Sequence, residues 1–316
     1  MDKLSNIKIG FFGTPDFSLQ FLKYLFNENF LIKFVVSQPA SKSGRGKKIK
    51  LSPVEKWSLE NKIPTFTPKN LNDQKFLEMI GNISVDFIVV VAYGNLVNEE
   101  IINHPKYLTI NLHASLLPKW RGAAPVQRSI LQGDKETGVT IMKVEKKLDA
   151  GPIINQTKFK ILDEDVGGEI FDKMIKFGQP LLLETIKIIL KNNHKFINQL
   201  DEDATYAKKI EKKETKISWN QSATIIDRKI RAFSPVPGAW TKIKSFDKRI
   251  KILKAKVLFE KKINKPSNHL SSERDKLVVK CGKDLIQINE LQPEGKSKMN
   301  AYDFLNGIKN KKLIFE

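Results

Sequence analysis

The sequence is poor in the residues that form covalent or metal cross-links. It contains one cysteine, Cys281, so an internal disulfide is excluded. Its four histidines are scattered along the chain, and no CxxC, HExxH or HxxxH spacing occurs. We therefore expect neither a structural nor a catalytic metal.

Long apolar stretches are also missing. No run approaches the roughly 18–20 apolar residues that a membrane-spanning helix needs, and the first thirty residues do not resemble a cleavable signal peptide. We therefore expect a cytoplasmic protein without a membrane segment. Its 316 residues, 41% of them hydrophobic, are enough for two domains.

Positive charge is concentrated in the last third of the chain. The net formal charge is +20; residues 208–316 hold 27 Lys and Arg against 12 Asp and Glu, whereas residues 1–207 hold 28 against 23. Such an excess favours a polyanion held through its phosphates, but lysines spread over a surface can equally serve to solvate it. Composition alone leaves both interpretations open.

The first half of the chain alternates short apolar runs with amphipathic stretches. This pattern is typical of an α/β fold in which a mostly parallel, Rossmann-like sheet carries helices on both faces. A loop is predicted over 38–50. Strands are predicted at 7–12, 30–36, 87–92, 108–112, 139–144 and 153–161, and helices at 17–26, 54–61, 126–131 and 169–191, the last interrupted at 178–180.

Beyond residue 191 the pattern changes. A polar stretch at 192–215 is predicted to be a linker, and a helix is predicted at 225–233. The following strands, at 239–243, 250–259, 277–281 and 285–291, with a last helix at 301–305, indicate a smaller C-terminal β-barrel of the oligonucleotide-binding type. The predicted domains are 1–191 and 216–316.

Two polar side chains define a candidate site at the end of one predicted strand. Asn111 and His113 are two residues apart, so both project from the same face, at the carboxyl end where open α/β sheets bind ligands. An imidazole can take a proton from an attacking amine, and an amide can donate to a developing oxyanion. A carboxylate such as Asp149 would fix the imidazole tautomer. The spacing alone also fits an ordinary structural histidine.

Nearby glycines do not indicate a nucleotide cofactor. Gly10 and Gly13 lack the GxGxxG spacing that lets a backbone approach a pyrophosphate, so a tight strand-to-helix turn is the preferred interpretation.

The stretch NLHASLLPKWRGAAPVQ at 111–127 closely resembles the folate-dependent formyltransferases. Similar motifs cover nearly the whole chain: FFGTPDFS at 11–18, SGRGKKIKLSP at 43–53, VVVAYG at 89–94, GVTIMK at 138–143, LDAG at 148–151, AFSPVPGAW at 232–240 and ELQPEGKSKM at 290–299. The chain departs from the family pattern at Asn95 and Val236, where an aliphatic and an aromatic residue are usual.

The resemblance implies formylation of methionyl initiator tRNA. The donor would be 10-formyltetrahydrofolate, and the product N-formylmethionyl-tRNA for translation initiation. Asn111, His113 and Asp149 match the catalytic positions of the family. The positions that match its folate-contacting segment are Ser115, Leu116, Leu117 and Pro118.

A basic loop completes the expected site. Residues 41–50 include five basic residues among ten, and Gly44 and Gly46 flank Arg45. A solvated lysine-rich loop is the simpler interpretation, but by resemblance the loop engages the acceptor end of the tRNA. The predicted tRNA-binding residues are Lys42, Arg45, Lys47 and Lys48. The basic C-terminal domain would hold the tRNA body through backbone contacts, and we expect a monomer.

Three other functions share part of this pattern. A nucleotide-sugar formyltransferase uses the same motif on a sugar amine, a hydrolase of formyltetrahydrofolate uses similar residues, and a tRNA-binding protein needs no catalysis. The basic loop and C-terminal domain argue against the first, and a hydrolase would not need a basic barrel. The set Asn111, His113 and Asp149 argues against the third.

Overall fold

A computed structural model describes residues 3–43, 48–243, 246–259, 270–273, 276–308 and 315. The chain divides into two compact units. The first unit comprises Met1–Pro125, Thr137–Phe159 and Asp172–Lys208, and the second comprises Val126–Glu136, Lys160–Phe171 and Lys209–Glu316.

The strands and helices follow one another along the whole chain. In order, the strands are β1 (Lys8–Gly13), β2 (Leu31–Val36), β3 (Ser41–Ser43), β4 (Lys48–Lys50), β5 (Thr65–Phe66), β6 (Phe87–Val91), β7 (Leu108–His113), β8 (Arg121–Gly122), β9 (Glu136–Lys143), β10 (Ile153–Lys160), β11 (Tyr206–Ala207), β12 (Ala239–Ile243), β13 (Phe246–Leu258), β14 (Leu270–Glu273), β15 (Lys276–Lys280), β16 (Leu285–Pro293) and β17 (Met299–Asn300). The helices are α1 (Asp16–Asn27), α2 (Pro53–Glu60), α3 (Gln74–Gly81), α4 (Glu99–Ile102), α5 (Pro125–Gln132), α6 (Gly167–Leu190), α7 (Ala223–Phe233) and α8 (Ala301–Asn306).

A seven-stranded sheet, ordered β10-β9-β7-β6-β1-β2-β5, forms the core of the first unit. The pairs from β7 to β5 are parallel, whereas β9 runs antiparallel to β7. Every residue of β6 is buried, as expected for a strand covered on both faces. The predicted Rossmann-like sheet is therefore confirmed.

Helices cover both faces of this sheet. On one face, Phe12 and Val90 pack in a cluster with Phe76 of α3 and Ile101 of α4. On the other face, a Cβ placed on Gly178 of α6 would lie 3.1 Å from the ring of Phe21 in α1 and 3.4 Å from Leu112 in β7. Asn111 and His113 alternate with Leu112, so they belong to the first face.

The predicted interruption at 178–180 is wrong, because α6 continues through Pro180. A proline inside a helix removes one backbone hydrogen bond and destabilises the helix by about 3 kcal/mol. Burial on both sides of this position offsets that loss. Gly178 lies against Phe21, and Leu182 is fully buried.

An antiparallel sheet forms the core of the second unit, in agreement with the predicted small C-terminal barrel domain. Its order is β12-β13-β16-β15-β14, with β17 paired to β16. Ser222 caps the N-terminus of α7, because its hydroxyl accepts from the Ile225 N–H, and the helix buries Ile226, Ile230 and Phe233.

Two predicted irregular stretches contain regular structure. Within the predicted loop 38–50, β3 and β4 pair, with Ser41 opposite Lys50. Within the predicted linker 192–215, β11 pairs in parallel with β8, and short 3-10 helices occupy Asp201–Asp203 and Lys212–Thr215. None of the helices described in the structure combines the length and apolar character that crossing a membrane requires.

Candidate active site

The last residues of β7 carry the polar side chains of the site. Asn111 lies opposite Met142 and His113 opposite Thr140 in the antiparallel pairing with β9. The imidazole of His113 is only 6% exposed. The strand therefore holds both side chains on one face, and β9 supplies the neighbouring wall.

The carboxylate of Asp149 joins Asn111 and His113. Its Oδ2 atom lies 3.6 Å from Nδ1 of His113, and its Oδ1 atom accepts a long hydrogen bond of 3.5 Å from Nδ2 of Asn111. The Gly122 backbone N–H donates to Oδ2 at 2.8 Å. The Asp149 side chain is 13% exposed. An amide, an imidazole and a carboxylate thus converge in a largely desolvated cluster.

The second nitrogen of His113 is also engaged. Its Nε2 atom lies 2.8 Å from the backbone oxygen of Trp120, a residue with φ 64°. A carbonyl oxygen only accepts, so Nε2 carries the proton in this arrangement. The other ring nitrogen, Nδ1, faces the carboxylate of Asp149.

The segment predicted to contact folate follows β7 directly, and its four residues differ in exposure. Ser115 is fully buried and donates to the Lys119 oxygen at 2.6 Å, and Leu117 is 4% exposed. Leu116 and Pro118 are half-buried. The accessible part of the segment is therefore apolar.

Two polar residues that the sequence did not point to hold this segment in place. The hydroxyl of Thr140 donates to the Ser115 oxygen at 2.7 Å and accepts from the Leu117 N–H at 3.1 Å. Nε2 of Gln156 lies 2.9 Å from the Leu117 oxygen and 2.8 Å from Thr140 Oγ1. Thr140 lies inside GVTIMK, which was the available signal, whereas nothing singled out Gln156.

The basic loop is described only at its two ends. Lys42 belongs to β3 and Lys48 to β4, and Lys42 pairs with Ile49 across the hairpin. Arg45 and Lys47 lie outside the described residues. Among the residues that are described, no group of three or more His, Cys, Asp or Glu side chains is placed to hold a metal ion.

This arrangement can support acyl transfer to an amine without a serine or cysteine nucleophile. Residues 7–186 match the family model "Formyl transferase", and residues 209–309 match "Formyl transferase, C-terminal domain". The chain belongs to the formyl transferase family.

Methionyl-tRNA formyltransferases are among the curated relatives of this chain. The enzyme of Neisseria meningitidis is 38% identical over 303 residues, which cover 95% of this chain and 97% of that protein. The enzyme of Staphylococcus epidermidis is 40% identical over 302 residues, which cover 95% of this chain and 96% of that protein.

Solved structures share the fold at lower identity. The N-formyltransferase from Helicobacter canadensis, in complex with folinic acid and dTDP-3-aminofucose, is 20% identical with a TM-score of 0.65, over 89% of this chain and 98% of that one. HypX from Aquifex aeolicus, in complex with tetrahydrofolic acid, is 16% identical with a TM-score of 0.65, over 95% of this chain and 47% of that one.

Proposed function

We propose that this enzyme transfers the formyl group of 10-formyltetrahydrofolate to the α-amino group of methionyl initiator tRNA. The convergence of Asn111, His113 and Asp149 at the carboxyl end of β7 carries the proposal. The relatives named above, similar over nearly their whole length, support this choice of acceptor.

The chemistry follows from the three side chains. The α-amino nitrogen forms a bond to the formyl carbon, and the bond from that carbon to N10 of the folate breaks. One proton leaves the amine through His113 and one proton ends on N10, so the charges balance. Asn111 donates to the formyl oxygen as negative charge develops there. Asp149 stabilises the protonated imidazole.

The contact between His113 and Trp120 adds a requirement to this mechanism. In this arrangement Nε2 carries the ring proton and donates it to the Trp120 oxygen, so Nε2 cannot accept a proton from the amine. The ring proton first has to move to Nδ1, which faces Asp149, and the contact between Nε2 and Trp120 has to open when the amine arrives. We assign proton transfer to Nε2, since Asp149, held by the Gly122 N–H, is in place to accept from Nδ1.

The donor is proposed to lie against the segment after β7. The half-buried Leu116 and Pro118 offer apolar surface to a pterin ring, and the hydrogen bonds of Thr140 and Gln156 keep the segment ordered before binding. The side chains of Ser115 and Leu117 are buried, so they act by supporting the backbone.

The tRNA is proposed to contact the basic parts of the chain. Lys42, Arg45, Lys47 and Lys48 would bind acceptor-end phosphates, and the domain over 216–316 would hold the tRNA body. The net charge of residues 208–316 supports this assignment, because each phosphate contact releases counterions. We assign catalysis to the domain predicted over 1–191 together with residues 192–208, which belong to the first compact unit, so the linker predicted at 192–215 narrows to 209–215. We further propose that the enzyme acts in the cytoplasm as a monomer.

A formylation assay tests the proposal directly. Purified protein is given 10-formyltetrahydrofolate with charged initiator tRNA, with charged elongator methionine tRNA, or with a nucleotide-linked amino sugar. Rapid formation of formylmethionyl-tRNA from the initiator is expected. Turnover of the amino sugar without formylation of either tRNA would reject the proposal, as would hydrolysis of the donor alone.

The role of the basic loop is tested with Arg45→Ala. We expect a higher KM for the tRNA, a weaker dependence of that KM on salt and an unchanged KM for the folate donor. Lys75→Ala is the matched control. The substitution removes the same charge, and Lys75 is exposed on α3, outside the loop. Equal tRNA kinetics in the two variants would remove Arg45 from the tRNA site.

A further inference from the structure

Gln199 holds the turn over 149–151, the catalytic turn, which carries the proposed catalytic residue Asp149. Its side-chain Nε2 donates to the backbone oxygen of Asp149 at 3.0 Å and to that of Gly151 at 2.7 Å. Asp149 has φ 49°, and a Cβ on Gly151 would lie 1.9 Å from the Lys143 oxygen. The turn over 149–151 therefore has an unusual backbone conformation, and the side-chain amide of Gln199 binds the backbone oxygens of its first and last residues.

The orientation of that amide is set by Arg121. The Arg121 Nε–H donates to Oε1 of Gln199 at 2.9 Å, so the oxygen of the amide faces the guanidinium and its NH2 group faces the two carbonyls. The Arg121 side chain is 0% exposed, and its Nη1 atom pairs with Oδ1 of Asp201 at 2.7 Å. The reverse orientation of the amide would place its NH2 group against the guanidinium and leave the two carbonyls without a donor, so the observed orientation is favoured.

Asp149 is consequently held through its side chain and its backbone. Gly122, the residue after Arg121, donates its N–H to the Asp149 carboxylate, while the Arg121 side chain acts on the Asp149 backbone through Gln199. The strand pairing of β8 with β11 joins these parts, since the Arg121 N–H donates to the Thr205 oxygen at 2.8 Å.

We propose that Gln199, oriented by Arg121, is a positioning residue that keeps the carboxylate of Asp149 against His113 during formyl transfer. This inference rests on the proposed function. It concerns the rate of the chemical step, because Gln199 contacts the backbone of the catalytic turn and neither the carboxylate nor the imidazole. No shift of the folate or tRNA affinity is expected from it.

The substitution Gln199→Glu separates the hydrogen bond that the side chain accepts from the two that it donates. A carboxylate of the same size still accepts from the Arg121 Nε–H, but it has no N–H to give to the oxygens of Asp149 and Gly151. We expect kcat to fall by about 10- to 100-fold, the effect of a displacement near 1 Å in an active site. Gln199→Met removes all three of these hydrogen bonds and serves as the second variant if the first is poorly folded.

The experiment is a double-mutant cycle on the full chain. The values of kcat and of the two KM constants are measured for the parent, Gln199→Glu, Asp149→Asn and the double variant. If Gln199 acts through Asp149, its substitution lowers kcat in the parent background and has little further effect beside Asp149→Asn. Glu202→Gln is the control, because Glu202 is exposed next to Asp201 in the same 3-10 helix.

Each outcome supports or overturns either the proposed function or the positioning role of Gln199. A parent enzyme that does not formylate the tRNA refutes the proposed function, whatever the variants do. With an active parent, an unchanged kcat in both Gln199 variants overturns the positioning role. Equal losses in the presence and absence of the Asp149 carboxylate also overturn it, and so does a loss confined to KM, since a purely structural defect would give either result.

Discussion

Thr140 lies at the centre of the hydrogen bonds that hold the segment from Ser115 to Pro118. Its hydroxyl is fully buried, donates to the Ser115 oxygen, and accepts from the Leu117 N–H and from Nε2 of Gln156. Valine has almost the same shape without the hydroxyl. The substitution Thr140→Val therefore removes three hydrogen bonds and leaves the packing intact.

The loss of stability follows from the groups left without partners. Gln156 keeps its bond to the Leu117 oxygen, so its loss is small. The Leu117 N–H and the Ser115 oxygen lose this partner, and an unsatisfied buried polar group costs about 1–3 kcal/mol. We expect the free energy of unfolding of the first unit to fall by about 2–6 kcal/mol, the sum for these two groups. The loosened segment should also raise the KM for the folate donor by about tenfold, which corresponds to about 1.4 kcal/mol.

Urea unfolding and donor kinetics measure the two effects. The matched control is Thr185→Val in α6, because Thr185 is equally buried in the first unit and its hydroxyl donates to the Leu181 oxygen of the same helix. That control should lose less than about 1 kcal/mol, since an intrahelical hydroxyl bond contributes little.

Equal stability losses in Thr140→Val and Thr185→Val would refute this account of the segment. An unchanged KM for the donor in a destabilised Thr140→Val would leave Thr140 a purely structural role and would separate it from folate binding.

Three further outcomes are expected. His113→Ala should lower kcat by roughly two orders of magnitude or more, as loss of a general base does, and near-normal single-turnover rates at neutral pH would contradict the mechanism. Burial raises the pKa of the Cys281 thiol to about 12, so a thiol reagent at pH 8 should react with this residue only as the protein unfolds; rapid labelling of the native protein would contradict its burial. Burial also raises the pKa of Tyr93 to about 12, so the folded state binds that proton more tightly and stability should fall as the pH rises from about 10 towards 12. Tyr93→Phe should lessen this fall. If urea unfolding gives the parent and Tyr93→Phe the same loss of stability between about pH 10 and 12, Tyr93 is not the group responsible.

The sheet could be predicted because its strands are local patterns of buried residues. The fully buried run of β6 and the period of β7, where Asn111 and His113 alternate with Leu112, are visible in the sequence itself. The interruption predicted at 178–180 was wrong, because the contacts that sustain the helix there are not local in sequence. The burial that sustains α6 there comes from Phe21 and Leu112, which are remote in sequence.

The site was only partly accessible from the sequence. Strand period placed Asn111 and His113 together, and the family resemblance supplied Asp149. Gln199 lay in a polar stretch that was predicted to be a linker, and the two-residue strands β8 and β11 are too short to show any period. Hydrogen bonds between residues about 50 or 80 positions apart, such as those of Gln199 to Asp149 and Arg121, have no local signature.

The pairing of β8 with β11 limits where the chain can be truncated without loss of the contacts around Arg121. A fragment that stops at residue 191 still includes Asn111, His113 and Asp149, yet it lacks Gln199, Asp201 and β11. In such a fragment the guanidinium of Arg121 would be left without its two partners. A minimal formyl-transferring fragment therefore has to extend through Lys208, the last residue of the first unit. An insertion within 199–207 should therefore lower the rate of formyl transfer, because it would displace Gln199 or β11.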